Sequence, residues 1–229
     1  MMKKFILKKK LNMNVEIFNK INSTSTYARE AFNGSPLLVC ASMQTEGRGR
    51  QGKSFYSPKK GLYFSLALPK EYNFTHLTAL CGVSVCKAIE DLTDLKPEIK
   101  WVNDIYVNDK KVCGILVEAT ENGVIIGIGI NLKTKKFPDE IAGLAGSLNK
   151  RVSKTRLISE IVNNILTMKD FKDYYREHSY VLGKKIFFIE NNEKYEAFAE
   201  DIDENFGLVV RTEDKLKTLS SGEISLKLI

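Results

Sequence analysis

Apolar positions recur with a helical period in three segments of the chain, and strand-like runs fill much of the rest. Ser23 to Phe32 begins with cap-forming Ser and Thr residues, places Tyr27, Ala28, Ala31 and Phe32 at helical spacing, and meets a stop at Gly34. Thr75 to Leu92 carries Leu77, Leu80, Cys81, Val85 and Ile89 on one face. Lys154 to Tyr180, with Leu157, Ile158, Ile161, Ile165, Leu166 and Met168, predicts one long amphipathic helix. Leu37 to Met43 and Leu62 to Leu68 are short apolar runs that predict buried strands, the second ending at Pro69. Glu98–Val102, Ile105–Val107, Lys111–Ala119 and Val124–Asn131 follow, joined by turn residues at Asn108-Asp109 and Asn122-Gly123. They predict an antiparallel meander.

Beyond Gly183 the pattern shortens to strands over 185–189, 194–202, 208–211, 215–219 and 223–228, with turns at 191–192, 205–207 and 220–222. That spacing predicts a small barrel and a boundary near residue 181. Three regions result: a basic tail over 1–14, expected to be disordered, a main domain over 15–181, and a small domain over 182–229.

Composition narrows the chemistry. The 229 residues are 43% hydrophobic, enough for a sizeable core, and no apolar run is long enough to span a bilayer. Cys40, Cys81, Cys86 and Cys113 form no C-x-x-C pair, and no export signal precedes them. They read as reduced thiols packed like small apolar side chains in a cytoplasmic protein. With only His76 and His178 present, histidine-centred catalysis is a poor expectation. The formal charge of +7 is concentrated in residues 1–10 and 48–60, which contain no acid, so the remaining body is net negative. The first cluster reads as a solvated tail; the second, interleaved with glycines, reads as a local anion site.

Gly47-Arg48-Gly49-Arg50-Gln51-Gly52-Lys53-Ser54 satisfies both G-x-G-x-x-G and G-x-x-x-x-G-K-S. Both patterns require a helix to start at the last glycine, and Phe55-Tyr56-Ser57-Pro58 followed by Gly61 leaves no room for one. The glycines would still let backbone amides approach an anion, and two arginines offer forked donors. Lys100-Trp101-Val102-Asn103-Asp104 places an amide and a carboxylate where strands meet. Lys111 enters an otherwise apolar strand and needs an anionic ligand or Asp104 as partner. Gly127-Ile128-Gly129-Ile130-Asn131 marks a close approach by a ligand or backbone, with Asn131 suited to a base edge such as adenine.

In this order, the three segments and Lys111-Val112-Cys113-Gly114-Ile115-Leu116-Val117-Glu118 resemble the biotin-protein ligases. Gly222-Glu223-Ile224-Ser225-Leu226 resembles the end of that family's small C-terminal domain. The resemblance runs from about Ile21 to Leu228. It implies an α+β protein: a class II synthetase-like mixed β-sheet catalytic domain with flanking helices, plus a C-terminal SH3-like β-barrel. It implies ATP and Mg2+ as co-reactants, biotinyl-5′-AMP as intermediate, and transfer of biotin to a lysine of a biotin carboxyl carrier domain.

By the same resemblance, Ser23, Thr24, Ser25 and Gln44 contact biotin, together with Arg48, Gly49, Arg50, Lys111 and Gly114. Arg50, Phe55, Asn103, Lys111 and Asn131 contact ATP, and Lys111, Arg48 and Asp104 carry the chemistry. Magnesium arrives with ATP near Asn103 or Asp104. Val102, Phe55, Lys53 and Cys113 depart from the family's usual proline, tryptophan, arginine and smaller residue. About 20 residues precede Ser23, too few for the DNA-binding domain of some members, so a ligase without repressor activity is expected; a homodimer is allowed. The alternatives are a lipoate-protein ligase or octanoyltransferase of the same fold, or a non-catalytic biotin-responsive module that uses the lysines to bind nucleic acid.

Overall fold

The protein is described by a computed structural model over residues 2–72, 74–190, 193–213, 215–220 and 224–226. The expected turn at 191–192, all but the first residue of the turn at 220–222, and the Gly222-Glu223 pair lie outside the described residues. In chain order the elements are α1 (Lys4–Leu11), β1 (Asn14–Phe18), α2 (Thr24–Ala31), β2 (Leu37–Ala41), β3 (Leu62–Pro69) and α3 (Leu77–Leu92). The meander follows as β4 (Glu98–Lys100), β5 (Asp104–Val107), β6 (Lys110–Thr120) and β7 (Gly123–Ile130). Helices α4 (Asp139–Ala142), α5 (Lys154–Thr167) and α6 (Lys172–Glu177) lead to β8 (Lys185–Glu190), β9 (Glu193–Ile202), β10 (Leu208–Arg211), β11 (Leu216–Leu219) and β12 (Ile224–Leu226).

Seven strands form a mixed sheet in the order β1-β2-β3-β7-β6-β5-β4; only β1 and β2 pair in parallel. Alternation along the strands divides its two faces. Leu62, Phe64, Leu66 and Leu68 of β3 and Ile126, Ile128 and Ile130 of β7 join α3 and α5 in the main core. Ala28 of α2 and Phe32, its C-cap, cover Val39, Ala67 and Ile125 on the opposite face. The sheet is therefore sandwiched between two unequal helical layers. Asn108 and Asp109 adopt φ of 50° and 59°, the left-handed pair that a tight β5–β6 hairpin requires. The second sheet, β11-β10-β9-β8-β12, is wholly antiparallel. Among the described residues, no helix is long and apolar enough to cross a membrane.

Two expectations are corrected. The basic segment expected to be a disordered tail is instead helical from Lys4 to Leu11. Leu7 is fully buried, the Lys3 amide donates to Thr155 Oγ1 at 3.0 Å, and Lys4 pairs with Glu16 at 3.0 Å. The helix lies against α5 and β1, an edge strand that the sequence reading did not identify. A docking groove for Leu7 exists only once those elements have assembled, so local composition could not reveal it.

The second correction concerns Lys154–Tyr180, which is two helices. Met168 is extended (ψ 134°), and the chain restarts at α6. The break redirects the next apolar residues: Tyr174 donates to Glu90 Oε2 at 2.5 Å, and Tyr175 packs edge-on against Phe206 at 5.3 Å. A single straight helix would keep Tyr174 and Tyr175 on the direction set by α5.

Candidate active site

The site is built on a stretch of sheet from which side chains have been removed. On β7, Gly127 and Gly129 alternate with the core-facing isoleucines, so one face of the strand is filled and the other is bare. Gly114 of β6 lies opposite Gly129 in the register, which extends the bare patch across two strands. A Cβ on Gly114 or Gly129 would come within 2.9 Å or 2.5 Å of the Phe55 ring, and one on Gly127 within 2.7 Å of Ser25 Oγ. These glycines are needed for close approach from above the sheet.

Lys111 reaches the same patch because β6 is irregular. Ile105 pairs with Cys113 but Tyr106 with Lys111, leaving Val112 as an extra residue. In a regular strand Lys111 and Gly114, three positions apart, would face opposite sides; the bulge puts both on one side. Lys111 Cε would lie 3.5 Å from a Cβ on Gly114. The ammonium meets Asp104 Oδ1 at 2.7 Å, the partner expected for a lysine in an apolar strand. Asn103 donates to the Ile115 carbonyl at 2.8 Å and accepts from Arg50 at 3.3 Å, so the β4–β5 corner is tied to both the sheet and the basic loop.

At the other end, a chain of hydroxyl and amide groups fixes the start of α2. Ser23 caps the helix by accepting from the Thr26 amide at 3.3 Å. Ser25 and Ser65 hydroxyls lie 3.0 Å apart, Ser65 donates to Thr24 Oγ1 at 2.9 Å, and Thr24 donates to Gln44 Oε1 at 3.0 Å. Gln44 in turn donates to Ser57 Oγ at 2.9 Å, and Ser57 to the Phe55 carbonyl at 2.8 Å. A buried polar chain satisfied along its length holds a single geometry.

The basic loop is a closed hairpin. Phe55 donates to Gly47 and Gly49 to Lys53, each at 2.7 Å, and Arg48 bridges Ser54. The tip, Arg50–Gly52, is a tight turn with Gln51 and Gly52 in the left-handed region at φ 53° and 73°. No α-helix starts at Gly52, as expected against both nucleotide-loop patterns. Arg48 reaches Glu118 at 3.4 Å, and Arg29 of α2 meets the same carboxylate oxygen at 3.2 Å.

Loop, corner and sheet floor enclose one cavity of about 500 Å3, lined by five cationic side chains (Arg48, Arg50, Lys53, Lys100 and Lys111) and one carboxylate, Asp104. That volume suits a small-molecule site, and the charge balance suits a ligand carrying several negative charges. Burial first, and then the Asp104 carboxylate, push the Tyr106 hydroxyl up to about 12.

Of the site residues expected from the sequence, Thr24, Ser25, Gln44, Arg48, Gly49, Arg50, Phe55, Asn103, Asp104, Lys111, Gly114 and Asn131 all line this cavity. Ser23 does not; it is 2% exposed and spends its hydroxyl on the helix cap. Asn131 is 4% exposed, and its Oδ1 has no hydrogen-bond partner among the described residues. Sequence reasoning missed Ser65 and Ser57, which connect the polar chain. The signal for Ser65 was present: it is the one polar residue in the apolar run Leu62 to Leu68.

Comparison with known proteins agrees with this geometry. The profile described as the biotin/lipoate A/B protein ligase family matches residues 17–134, just over half of the chain. The chain belongs to that family. Within it, a second profile, described as the biotin protein ligase C terminal domain, matches residues 181–227 and coincides with the five-stranded sheet. The family member "Bifunctional ligase/repressor BirA" of Bacillus subtilis is 32% identical over 90% of this chain and 72% of its own length. A solved biotin protein ligase from Aquifex aeolicus, in complex with biotin and ATP, is 28% identical with a TM-score of 0.82, over 93% of this chain and 98% of that one. An apo structure of the Aquifex aeolicus ligase also superposes, with a TM-score of 0.78. The α+β architecture and the small C-terminal domain expected from the sequence are thus those of this ligase family.

Proposed function

We propose that this chain is a biotin protein ligase, an enzyme that activates biotin with ATP and passes it to a lysine of a carboxylase carrier domain. One observation carries the reading: the arginines of the glycine-jointed loop and the amine of Lys111 line the same cavity above a cleared sheet floor. In the first step a carboxylate oxygen of biotin attacks the α-phosphorus of ATP, the bond from that phosphorus to the bridging oxygen breaks, and pyrophosphate leaves. In the second, a lysine amine attacks the acyl carbon, AMP leaves, and the amine gives up a proton.

The first step brings two anions together, so its main demand is charge neutralisation and alignment. On this reading Lys111 lies between the carboxylate and the α-phosphate, exchanging its contact with Asp104 for one with substrate. Arg48 and Arg50 cover the reacting groups, and Thr24, Ser25 and Gln44 orient the polar head of biotin. Phe55 covers the glycine floor, and the buried Asn131 Oδ1 is suited to accept from an adenine amino group. Positioning of this kind contributes as much as roughly 7 to 11 kcal/mol to such reactions.

Magnesium fits as a companion of the triphosphate. Among the described residues no group of three or more His, Cys, Asp or Glu could hold a metal. Asp104 and Asn103 offer one carboxylate and one amide oxygen, and magnesium is commonly held by one or two carboxylates with substrate phosphates. Bound there with ATP, it would neutralise phosphate charge.

The test mixes the protein and Mg-ATP with biotin or with lipoate and measures pyrophosphate release. Biotin-driven release, followed by label transfer to a carrier domain, is expected. Release with lipoate alone would reassign the substrate within the family, and release with neither acid would remove the ligase reading.

A further inference from the structure

The C-terminal domain makes a directional contact with the cavity wall. The β9–β10 turn places Phe206 at φ 60°, held by Asp203, whose Oδ1 accepts from the Asn205 and Gly207 amides at 2.8 Å and 2.7 Å. The Phe206 ring, 8% exposed, enters a cage from the catalytic domain: Phe171 stacks at 5.1 Å, Tyr175 meets it edge-on at 5.3 Å, and His76 is tilted at 4.9 Å. Its carbonyl accepts a 2.9 Å hydrogen bond from the indole N–H of Trp101, across 105 residues of sequence. Trp101 is 4% exposed and lines the ligand cavity.

Trp101 stands two residues before Asn103 and three before Asp104. Asn103 binds Arg50 and the β6 backbone, and Asp104 binds Lys111. The corner that gathers the reacting charges therefore has a support outside its own domain. A buried indole N–H left without its acceptor is destabilising, so the corner's resting geometry and docking of the β9–β10 turn are energetically linked.

We propose that Phe206 is a positioning residue of the ligase: by docking in the aromatic cage it presents its carbonyl to Trp101 and sets the Asn103–Asp104 corner for the first step. The inference rests on the ligase reading for its rate measurement but not for its spectroscopic one. The C-terminal domain, on this account, acts on catalysis through the cavity wall without touching the reacting atoms.

Trp101 is the single tryptophan, so its fluorescence reports this contact directly. Phe206→Ala in the full chain, checked for native circular dichroism, is expected to shift Trp101 emission to the red. It should also lower kcat for pyrophosphate release about tenfold, equivalent to about 1.4 kcal/mol, with KM for biotin changed less than about threefold. Phe206→Leu, which keeps most of the apolar volume, should fall between Ala and wild type in both readouts; if the Ala variant does not fold, the Leu variant is judged by the same criteria. Unchanged emission, or a shifted emission with unchanged kcat, would overturn the proposal. So would a loss of kcat that leaves emission where it was, because the effect would then bypass Trp101. If wild type releases no pyrophosphate with biotin, the ligase reading is at fault, and the rate comparison is repeated with whichever acid drives release.

Discussion

The two faces of β6 and β7 are made from the same strands but specified by different physics. On one face Ile126, Ile128 and Ile130 pack into the core beneath α3 and α5, where each methylene is in contact with neighbours. On the other, Gly114, Gly127 and Gly129 leave the backbone bare, and Lys111, Asp104 and the hairpin loop crowd charge around the opening. The first face is optimised for burial. The second gives up burial for access, and its stability is supplied by the layer behind it. Activity and stability should therefore separate cleanly when the faces are altered one at a time.

The largest effect is expected on the packed face. Ile126→Ala, at a fully buried core position outside the cavity lining, should destabilise by about 2–5 kcal/mol, measured by denaturant unfolding, while kcat per folded molecule is retained; a large loss of kcat with native stability would break the comparison. Lys111→Ala should reduce adenylate formation by more than about tenfold, roughly 1.4 kcal/mol or above, with little change in the unfolding midpoint. An unchanged rate would remove Lys111 from the chemistry. Gly129→Ala pushes against Phe55, and since overpacking costs about 1–3 kcal/mol, KM for ATP should rise by about tenfold through a displaced ring. A structure of that variant with Phe55 unmoved and KM unchanged would show that the floor tolerates a side chain.

Smaller still is the effect of the loop's own ion pair. Arg48 and Glu118 side chains are 48% and 21% exposed, and such pairs contribute about 0–1 kcal/mol to stability. Arg48→Ala should leave unfolding unchanged but shorten the lifetime of bound biotinyl-AMP, because an open loop admits water; equal retention in variant and wild type argues against closure.

The packed face also has a pH signature. Burial pushes the Cys40 thiol from 9.0 up to about 12, and Cys81, Cys86 and Cys113 are raised by the same cause. A raised folded value means that the native state holds protons the unfolded chain releases. The corresponding stability is complete below pH 9 and is lost as pH climbs from there toward 12. Unfolding midpoints that hold steady across that window would contradict the burial of these thiols.

Much of the site was legible before the structure because its chemistry depends on residue types at short spacing. The Gly-Ile alternation over 127–130, the arginine-glycine loop and the Asn103-Asp104 pair each announce a local requirement for close approach or for charge. Ser23 was legible as a helix start, and the resemblance implied that it contacts biotin; in the structure its hydroxyl caps the helix. The α1 helix and the break at Met168 were not legible, because each answers to a surface that distant segments create.

What the sequence determined alone was the period of most of the elements, the positions where side chains are missing and the charges that an anionic ligand would need. Only the tertiary structure decided which of those positions share a face. The bulge at Val112 turns Lys111 toward Gly114, the polar chain from Ser25 to Phe55 passes through Ser65 of another strand, and the Phe206 turn reaches Trp101 from the far domain. The reason is physical: period and propensity are properties of neighbours along the chain, whereas register, bulges and cross-domain hydrogen bonds are settled by packing between segments that are far apart in sequence.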